Sequence, residues 1–524
     1  MRLLHTLPAL LLPLLLVGCA LPAMPERPAS AALDAQQSAQ TRLGRAIAPQ
    51  LLLHPQLSGI YALVDPLEAF AARMLLARAA ERSLDVQHYI WRGDHTGTLL
   101  LQALAQAAER GVRVRLLLDD GGTAGLDREL AALALHPQIE VRLFNPFVLR
   151  WPKPLGYLTD FHRANRRMHN KSFTADNQAS IVGGRNVGDE YFGATDGVLF
   201  SDLDVLAIGA IVPEVSTDFD RYWASASAWP VQAIVPAGNE ADWTQLDERA
   251  TAVAASDKGK TYTEAVRQAP FTTHLLAQTL ALEWSRIHIV SDDPAKGLGQ
   301  AKRSGLLVDQ LHRVLGKPEK SLSLVSPYFV PTAAGTEALA RLGRSGVAVR
   351  VLTNGYETTD VPLVHAGYAQ YRRALLQSGV VLYEKQRLTA PIDKDQSSPK
   401  RVPRLHLLGS SGSSLHAKTL AIDSERAFVG SFNFDPRSAL LNTELGFVID
   451  SPPLARQIER AFDAEVPQRA YTLALSANGE IEWRSSNAAA AGLRPTVQTT
   501  EPGSHWWSRL GLKILSWLPI EWLL

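Results

Sequence analysis

Two histidines, His169 and His416, each stand two residues before a lysine and seven before an aspartate. The segments read His169-Asn-Lys171-Ser-Phe-Thr-Ala-Asp176 and His416-Ala-Lys418-Thr-Leu-Ala-Ile-Asp423. Six residues separate each aspartate from a glycine-containing tetrapeptide ending in asparagine: Gly183-Gly184-Arg185-Asn186 and Gly430-Ser431-Phe432-Asn433. With 14 His in the whole chain, two matched copies are very unlikely to arise by chance. Paired imidazoles suit phosphodiester exchange through a covalent intermediate, one attacking phosphorus and the other acting as acid and then base. Lys171 and Lys418 would place positive charge where the pentacoordinate phosphorane develops negative charge, and Asn186 and Asn433 would donate to the same oxygens. Gly184 and Ser431 lie in the turns where the backbone is expected to approach a phosphate. With the charge neutralised by lysine and imidazolium, neither a metal nor another cofactor is expected. Asp176 and Asp423 close the two catalytic motifs and are read as structural, ion-paired near a strand end. An acid must orient each imidazole. Glu444, in Ser438-x-x-x-Asn442-x-Glu444, fits that role, with Asp202 or Asp204 as counterparts in the first half.

Positioning these residues takes regular elements, and the sequence carries them in duplicate. Strand-like runs at 83–90, 112–118 and 141–144, with a helical pattern at 97–110, precede the first motif. Runs at 321–325, 347–352 and 380–383, with a helix at 332–342, precede the second at a near-constant offset. Each motif is predicted to begin on a strand, over Leu415–Ile422 in the second copy, so that His416 and Lys418 leave one face. The fold expected is α/β: two pseudo-symmetric α/β/α domains from an internal duplication, with the active site at their interface. The stretch from 388 to 414 is expected to be a flexible loop.

The chain has 524 residues, too many for one ordinary domain, and a formal net charge of +1, which implies no polyanionic partner. There is one cysteine, Cys19, so no internal disulfide can form. An apolar run from Leu7 to Val17 ends in Leu16-Val17-Gly18-Cys19. The run is short for a bilayer span and fits the core of a signal peptide. Leu-Val-Gly-Cys resembles a bacterial lipoprotein cleavage box, and the resemblance implies lipidation of Cys19.

The paired motifs resemble those of the phospholipase D superfamily. The surrounding segments 83–91, 111–120, 166–171, 183–192, 364–368 and 409–418 resemble its bacterial cardiolipin synthase C branch, from about residue 58 to the C-terminus. The resemblance implies two phospholipase D-like halves, His169 as nucleophile and His416 as acid/base. It implies a phosphatidyltransferase forming cardiolipin or a related phospholipid, with hydrolysis to phosphatidic acid as the alternative. Membrane phospholipids are the expected partners, phosphatidylglycerol and also phosphatidylethanolamine, with no nucleic acid; no partner protein can be read from the sequence. The organisation expected is a lipoprotein signal peptide over 1–18 and a tether over 19–57. The first half follows over 58–224, a segment connecting and completing the halves over 225–316, the second half over 317–470, and a C-terminal extension over 471–524. The protein is expected to be membrane-anchored and to face the periplasm.

Other features admit two readings. The last twenty residues hold four of the chain's 11 Trp, with Arg509 and Lys513 one helical turn apart, which suits a helix lying in a membrane interface. His365, Tyr368 and Tyr371 could line a headgroup pocket or form a helix packing face with Arg372 and Arg373 in solvent. Asp119-Asp120-Gly-Gly reads as a turn in preference to a metal site. Arg163 to Arg167 could contact phosphate.

Overall fold

A computed structural model describes residues 21–193, 202–269, 279–387, 414–486 and 496–516, with isolated positions between 270 and 278 and side chains to residue 511. The leader, Cys19, the 388–413 stretch and Trp517 and Trp522 lie outside the described residues. In the first half, β2 (Ser83–His88), β3 (Arg113–Asp119) and β4 (Ile139–Phe144) run parallel. Antiparallel β5 (Ser172–Ala175), β6 (Ala179–Gly183), β7 (Asp204–Gly209) and β1 (Ser58–Leu63) extend the sheet beyond β2. β8 (Ala228–Pro230) borders β4.

The second half repeats this order. β10 (Ser321–Val325), β11 (Ala348–Asn354) and β12 (Val381–Lys385) are parallel. β13 (Thr419–Ile422), β14 (Arg426–Gly430), β15 (Leu445–Asp450) and β9 (Glu283–Ser291) follow antiparallel. On the other side come β16 (Ala470–Leu475), β17 (Ile481–Ser485) and β18 (Thr496–Gln498). β9 also pairs with β1, Ser58 opposite Ser285, so one strand ties the two sheets together. The 225–316 segment therefore supplies β8 to the first sheet and β9 to the second.

The central strands are apolar on both faces because helices cover them, as parallel sheets require. Val114, Leu116, Leu117 and Leu118 of β3 are all buried. The crossover helix His95–Glu109 begins where the Asp94 side chain accepts from Gly97 N. A shared apolar core joins the halves: Val182, Val205 and Ala207 from one and Ala417, Val429 and Phe447 from the other belong to a single cluster.

Both motifs run into a hairpin of the same kind. Asp176 and Asn177 both have φ of 52°, and Asp423 and Ser424 have φ of 55° and 58°. Two consecutive left-handed residues suit the twist of a tight hairpin, and Asp and Asn tolerate that region better than most. The strand predicted from Leu415 begins only at Thr419. The preceding backbone leaves the ladder because the Asn354 side chain takes both polar groups of Leu415, each at 3.0 Å. In the same way Ser172 opens β5, and His169 N donates to Thr443 O at 2.8 Å in the other half.

The described part of the expected tether is a docked element. Helices Ala35–Ala39 and Arg42–Leu53 bury Leu43 and Ile47, and Arg27 Nη1 donates to Ser225 O and Ala228 O, both at 2.8 Å. Its alanine-, proline- and glutamine-rich composition hid an amphipathic stripe.

Candidate active site

Each imidazole is held by a carboxylate from the opposite half. His169 Nδ1 lies 2.8 Å from Glu444 Oε2, and His416 Nδ1 lies 2.5 Å from Asp202 Oδ2. A carboxylate on Nδ1 keeps the proton there and directs the Nε2 lone pair at a substrate. Asp202 has its second oxygen on Leu203 N at 2.8 Å, while Glu444 Oε2 also accepts from the Ser431 hydroxyl. All four groups are buried. Tyr89 meets the His169 ring edge-on at 4.9 Å, and Tyr191 meets His416 at 5.2 Å.

The lysines curl back on their own motifs. Lys171 Nζ donates to His169 O at 2.5 Å, and Lys418 Nζ donates to His416 O and lies 3.0 Å from His416 Nδ1. Burial pulls Lys171 well below the usual lysine range and Lys418 down to about 8. Burial, reinforced by Lys171 and Lys418, lowers His169 well below its ordinary value; burial and Lys418 bring His416 to about 4. Both shifts favour the neutral imidazole. A bound phosphodiester anion would raise both histidines.

The two orienting acids differ. Burial favours the neutral form of each, but His416 and Lys418 overcome it at Asp202, whose carboxyl lies below the ordinary range. At Glu444 burial prevails over Lys171 and Ser431 and pushes the carboxyl up to about 7.

Several expected site residues hold other positions. Asp176 and Asp423 face away from the histidines, and backbone N–H groups take the place of the cations expected as their partners. Asp176 accepts from the N–H groups of Glu81, Arg82 and Ser83, and Asp423 from those of Glu319, Lys320 and Ser321. Each thereby fastens the motif hairpin to the start of the neighbouring central strand. Asp204 orients no imidazole: it is paired with Arg73 at 2.9 Å and Arg185 at 3.2 Å, both buried. Gly184 gives room to a carboxylate, since a Cβ there would stand 2.2 Å from Asp202 Oδ1. Ser431, its counterpart, spends its hydroxyl on Glu444 and accepts Leu445 N at 3.0 Å. Asn186 Oδ1 accepts from Ile90 N at 3.3 Å, and Asn433 is buried with its Oδ1 unpartnered among the described residues.

The flanking candidates resolve similarly. Asp119 accepts from Gly121 N and Met168 N and pairs with Arg167 at 3.2 Å, so this turn braces the residues before His169. Among the described residues no group of side chains could hold a metal ion. His365 and Arg372 are buried together, each bonded to Glu501 (2.5 and 2.6 Å), and Arg372 also pairs with Glu384 at 2.7 Å. This is an internal ionic cluster that pins the C-terminal segment. The helix Trp506–Ser516 leaves Trp506 and Trp507 exposed, and no helix among the described residues is long and apolar enough to cross a membrane.

Sequence reasoning gave no role to Tyr89, Tyr191, Arg437 or Asp292. Arg437 spans the halves through Asn165, at 2.9 Å to both its side-chain and main-chain oxygens. Asp292 takes Glu444 N at 2.9 Å and Lys296 Nζ at 2.9 Å, steadying the acid behind His169. The aromatic residues follow β2 and the first Asn-bearing turn, a placement that could have flagged them.

Paired sheets, with one His-Lys motif from each half meeting across a shared core, define a two-domain enzyme of the phospholipase D type. The family described as cardiolipin synthase, PLD-like domain, matches at residues 75–223 and 311–466. Cardiolipin synthase C of Escherichia coli (strain K12) is 48% identical over 488 residues, 92% of this chain and 100% of that one. Major cardiolipin synthase ClsA of Bacillus subtilis (strain 168) is 25% identical, covering 74% of this chain and 64% of that one. A solved phosphatidylserine synthase from Haemophilus influenzae Rd KW20 shares the fold, with a TM-score of 0.53 at 13% identity over 82% of this chain and 92% of that one. The chain belongs to the cardiolipin synthase family of the phospholipase D superfamily, and it is a phosphatidyltransferase.

Proposed function

We propose that this protein makes cardiolipin by phosphatidyl transfer, with His169 as nucleophile and His416 as proton carrier. His169 Nε2 attacks the phosphorus of a donor phospholipid while His416, protonated in the substrate complex, gives its proton to the departing headgroup oxygen. The product of this half is a phosphatidyl-histidine and a free headgroup alcohol. His416, now neutral, then removes the proton from the hydroxyl of phosphatidylglycerol, whose oxygen attacks phosphorus and displaces His169. Phosphatidylethanolamine is the donor we favour. Lys171 and Lys418 would stabilise the charge of both phosphoranes, with Asn186 and Asn433 as further contacts.

The observation that carries the assignment is the inequality of the two acids. Asp202, held ionised, supports an imidazolium at His416, as an acid/base must have. Glu444, with its carboxyl raised to about 7, supports an imidazolium at His169 less than Asp202 does at His416, and by accepting the Nδ1 proton it leaves the Nε2 lone pair for attack. The lipoprotein-like Leu16-Val17-Gly18-Cys19 sequence supports lipidation at Cys19 and a periplasm-facing anchor.

Lipid mass spectrometry of a host expressing wild type or His169→Ala tests the activity. Cardiolipin should rise only with wild type. A phosphatidyl adduct should be trapped on His169 in His416→Ala; an adduct on His416 in the reverse variant would invert the roles.

A further inference from the structure

The segment between β4 and the first motif carries an apolar surface that the fold does not cover. Trp151 is 85% exposed and Leu158 83%; Leu155 and Phe161 are close to half exposed. A single exposed leucine means little, but four large apolar side chains within eleven residues form a patch that water would not favour. Leu440, 57% exposed, comes from the other half and lies beside the C-terminal end of this segment, where its carbonyl accepts from Arg166 Nη1 at 3.2 Å.

This patch adjoins the catalytic centre. Tyr157 lies within it, 5.3 Å from Phe147 and 6.1 Å from Phe161 ring to ring, and within electrostatic reach of Tyr89, which touches His169. The same segment ends in Arg166, Arg167 and His169. Leu440 closes the helix Pro436–Leu440, which begins three residues after Asn433. Arg166 places a basic side chain at the patch border. Apolar side chains projecting from a basic border match a phospholipid surface, with acyl chains beneath and phosphates above.

We propose that Trp151, Leu155, Leu158 and Phe161, with Leu440 opposite, enter a phospholipid bilayer and seat the two-histidine site at headgroup depth. The inference rests on the phosphatidyl-transfer reading: a phosphodiester in a bilayer reaches buried imidazoles only if the surface around them enters the interface. It adds an attachment separate from Cys19 and from the C-terminal helix.

The test uses the full chain reconstituted in vesicles of phosphatidylethanolamine and phosphatidylglycerol carrying acyl-chain bromines. The bromine-quenched share of tryptophan fluorescence should fall in Trp151→Phe. The double variant Trp151→Asp/Leu158→Asp should lose about tenfold or more of the transfer rate on vesicles, because both apolar anchors are lost. On short-chain phospholipids dispersed as monomers its rate should stay within about twofold. Unchanged quenching in Trp151→Phe overturns the proposal. So does an equal loss on vesicles and monomers, which would assign the residues to folding or catalysis. A dimer in detergent that the double variant dissolves would assign the patch to a second copy and also overturn it. If wild type transfers no phosphatidyl group, the functional reading fails while the quenching difference still decides this one.

Discussion

Replacing Asp202 by asparagine should disable the proton carrier and leave the nucleophile intact. Asp202 gives one oxygen to Leu203 N at 2.8 Å and the other to His416 Nδ1 at 2.5 Å. Asparagine has one oxygen, so its NH2 must face one of these partners. Turned to the imidazole, it would donate to Nδ1 and move the ring proton to Nε2, where no base then exists. Turned the other way, it would oppose Leu203 N and still lack the charge that stabilises an imidazolium. Unit charges about 4 Å apart interact by about 4 kcal/mol at an effective dielectric of about 20. Allowing for part of that being recovered by a neutral hydrogen bond, kcat should fall by about 10²- to 10³-fold. The assay compares natural donors with phosphatidyl-p-nitrophenol, whose leaving group departs without a proton. Asp202→Asn should retain a rapid burst of p-nitrophenolate, because attack by His169 no longer needs an acid, and then stall on transfer to the acceptor. His169→Ala should show no burst. Loss of the burst in Asp202→Asn, or its survival in His169→Ala, would refute the assignment of roles.

Further outcomes follow from the same geometry. Gly184→Ala should approach the kcat of Asp202→Asn, because its Cβ would stand 2.2 Å from Asp202 Oδ1 and displace the carboxylate; steady-state kinetics of the two variants check this. Lys418 is charged below its value of about 8 and neutral above it, so kcat/KM should decline as pH rises through that range, and Lys418→Arg should remove that limb at whatever lower rate it retains. Asp176→Ala leaves three backbone N–H groups without their acceptor and should cost about 2–4 kcal/mol in urea unfolding, with kcat nearly unchanged where the protein is folded. Burial is the largest single effect on Asp423 and would raise it, but the N–H groups of Ser321, Lys320 and Glu319 together outweigh burial and hold the carboxyl below its ordinary value. Its stabilising contribution is thus complete above the unfolded value and lost as pH falls through the folded one, and Asp423→Asn should flatten the acid limb of a stability–pH curve.

The strand order and the duplication were legible because they are written in local periodicity. β2, β3, β10 and β11 all begin and end within two residues of the runs that predict them. What could not be read is which acid serves which histidine. Glu444 and His169 are 275 residues apart, and Asp202 and His416 are 214 apart, so no spacing rule links them. Asp204 is two residues from Asp202 and equally acidic; only the positions of Arg73 and Arg185 show that it belongs to a structural ion cluster. The N-terminal segment misled for a different reason. Its helices bury only Leu43 and Ile47 as large apolar groups, too faint a stripe to stand out among alanine and glutamine.

The exchange of acids between halves has a consequence for why the duplication persists as one chain. A single half would hold a histidine and a lysine but no carboxylate for the imidazole, and β1 would lose its partner β9. Neither half can therefore present an oriented nucleophile alone, and a change near one histidine acts through the opposite sheet. The exchange also lets the two dyads diverge. A short Asp202 reaches His416 only because Gly184 leaves space beside it; a longer Glu444 reaches His169 with a hydroxyl from Ser431 at the matching position. The first arrangement keeps its carboxyl ionised and the second lets burial raise it to about 7. The two acids behind the histidines thereby differ in proton affinity, which suits a reaction that needs one imidazole to attack and the other to carry the proton.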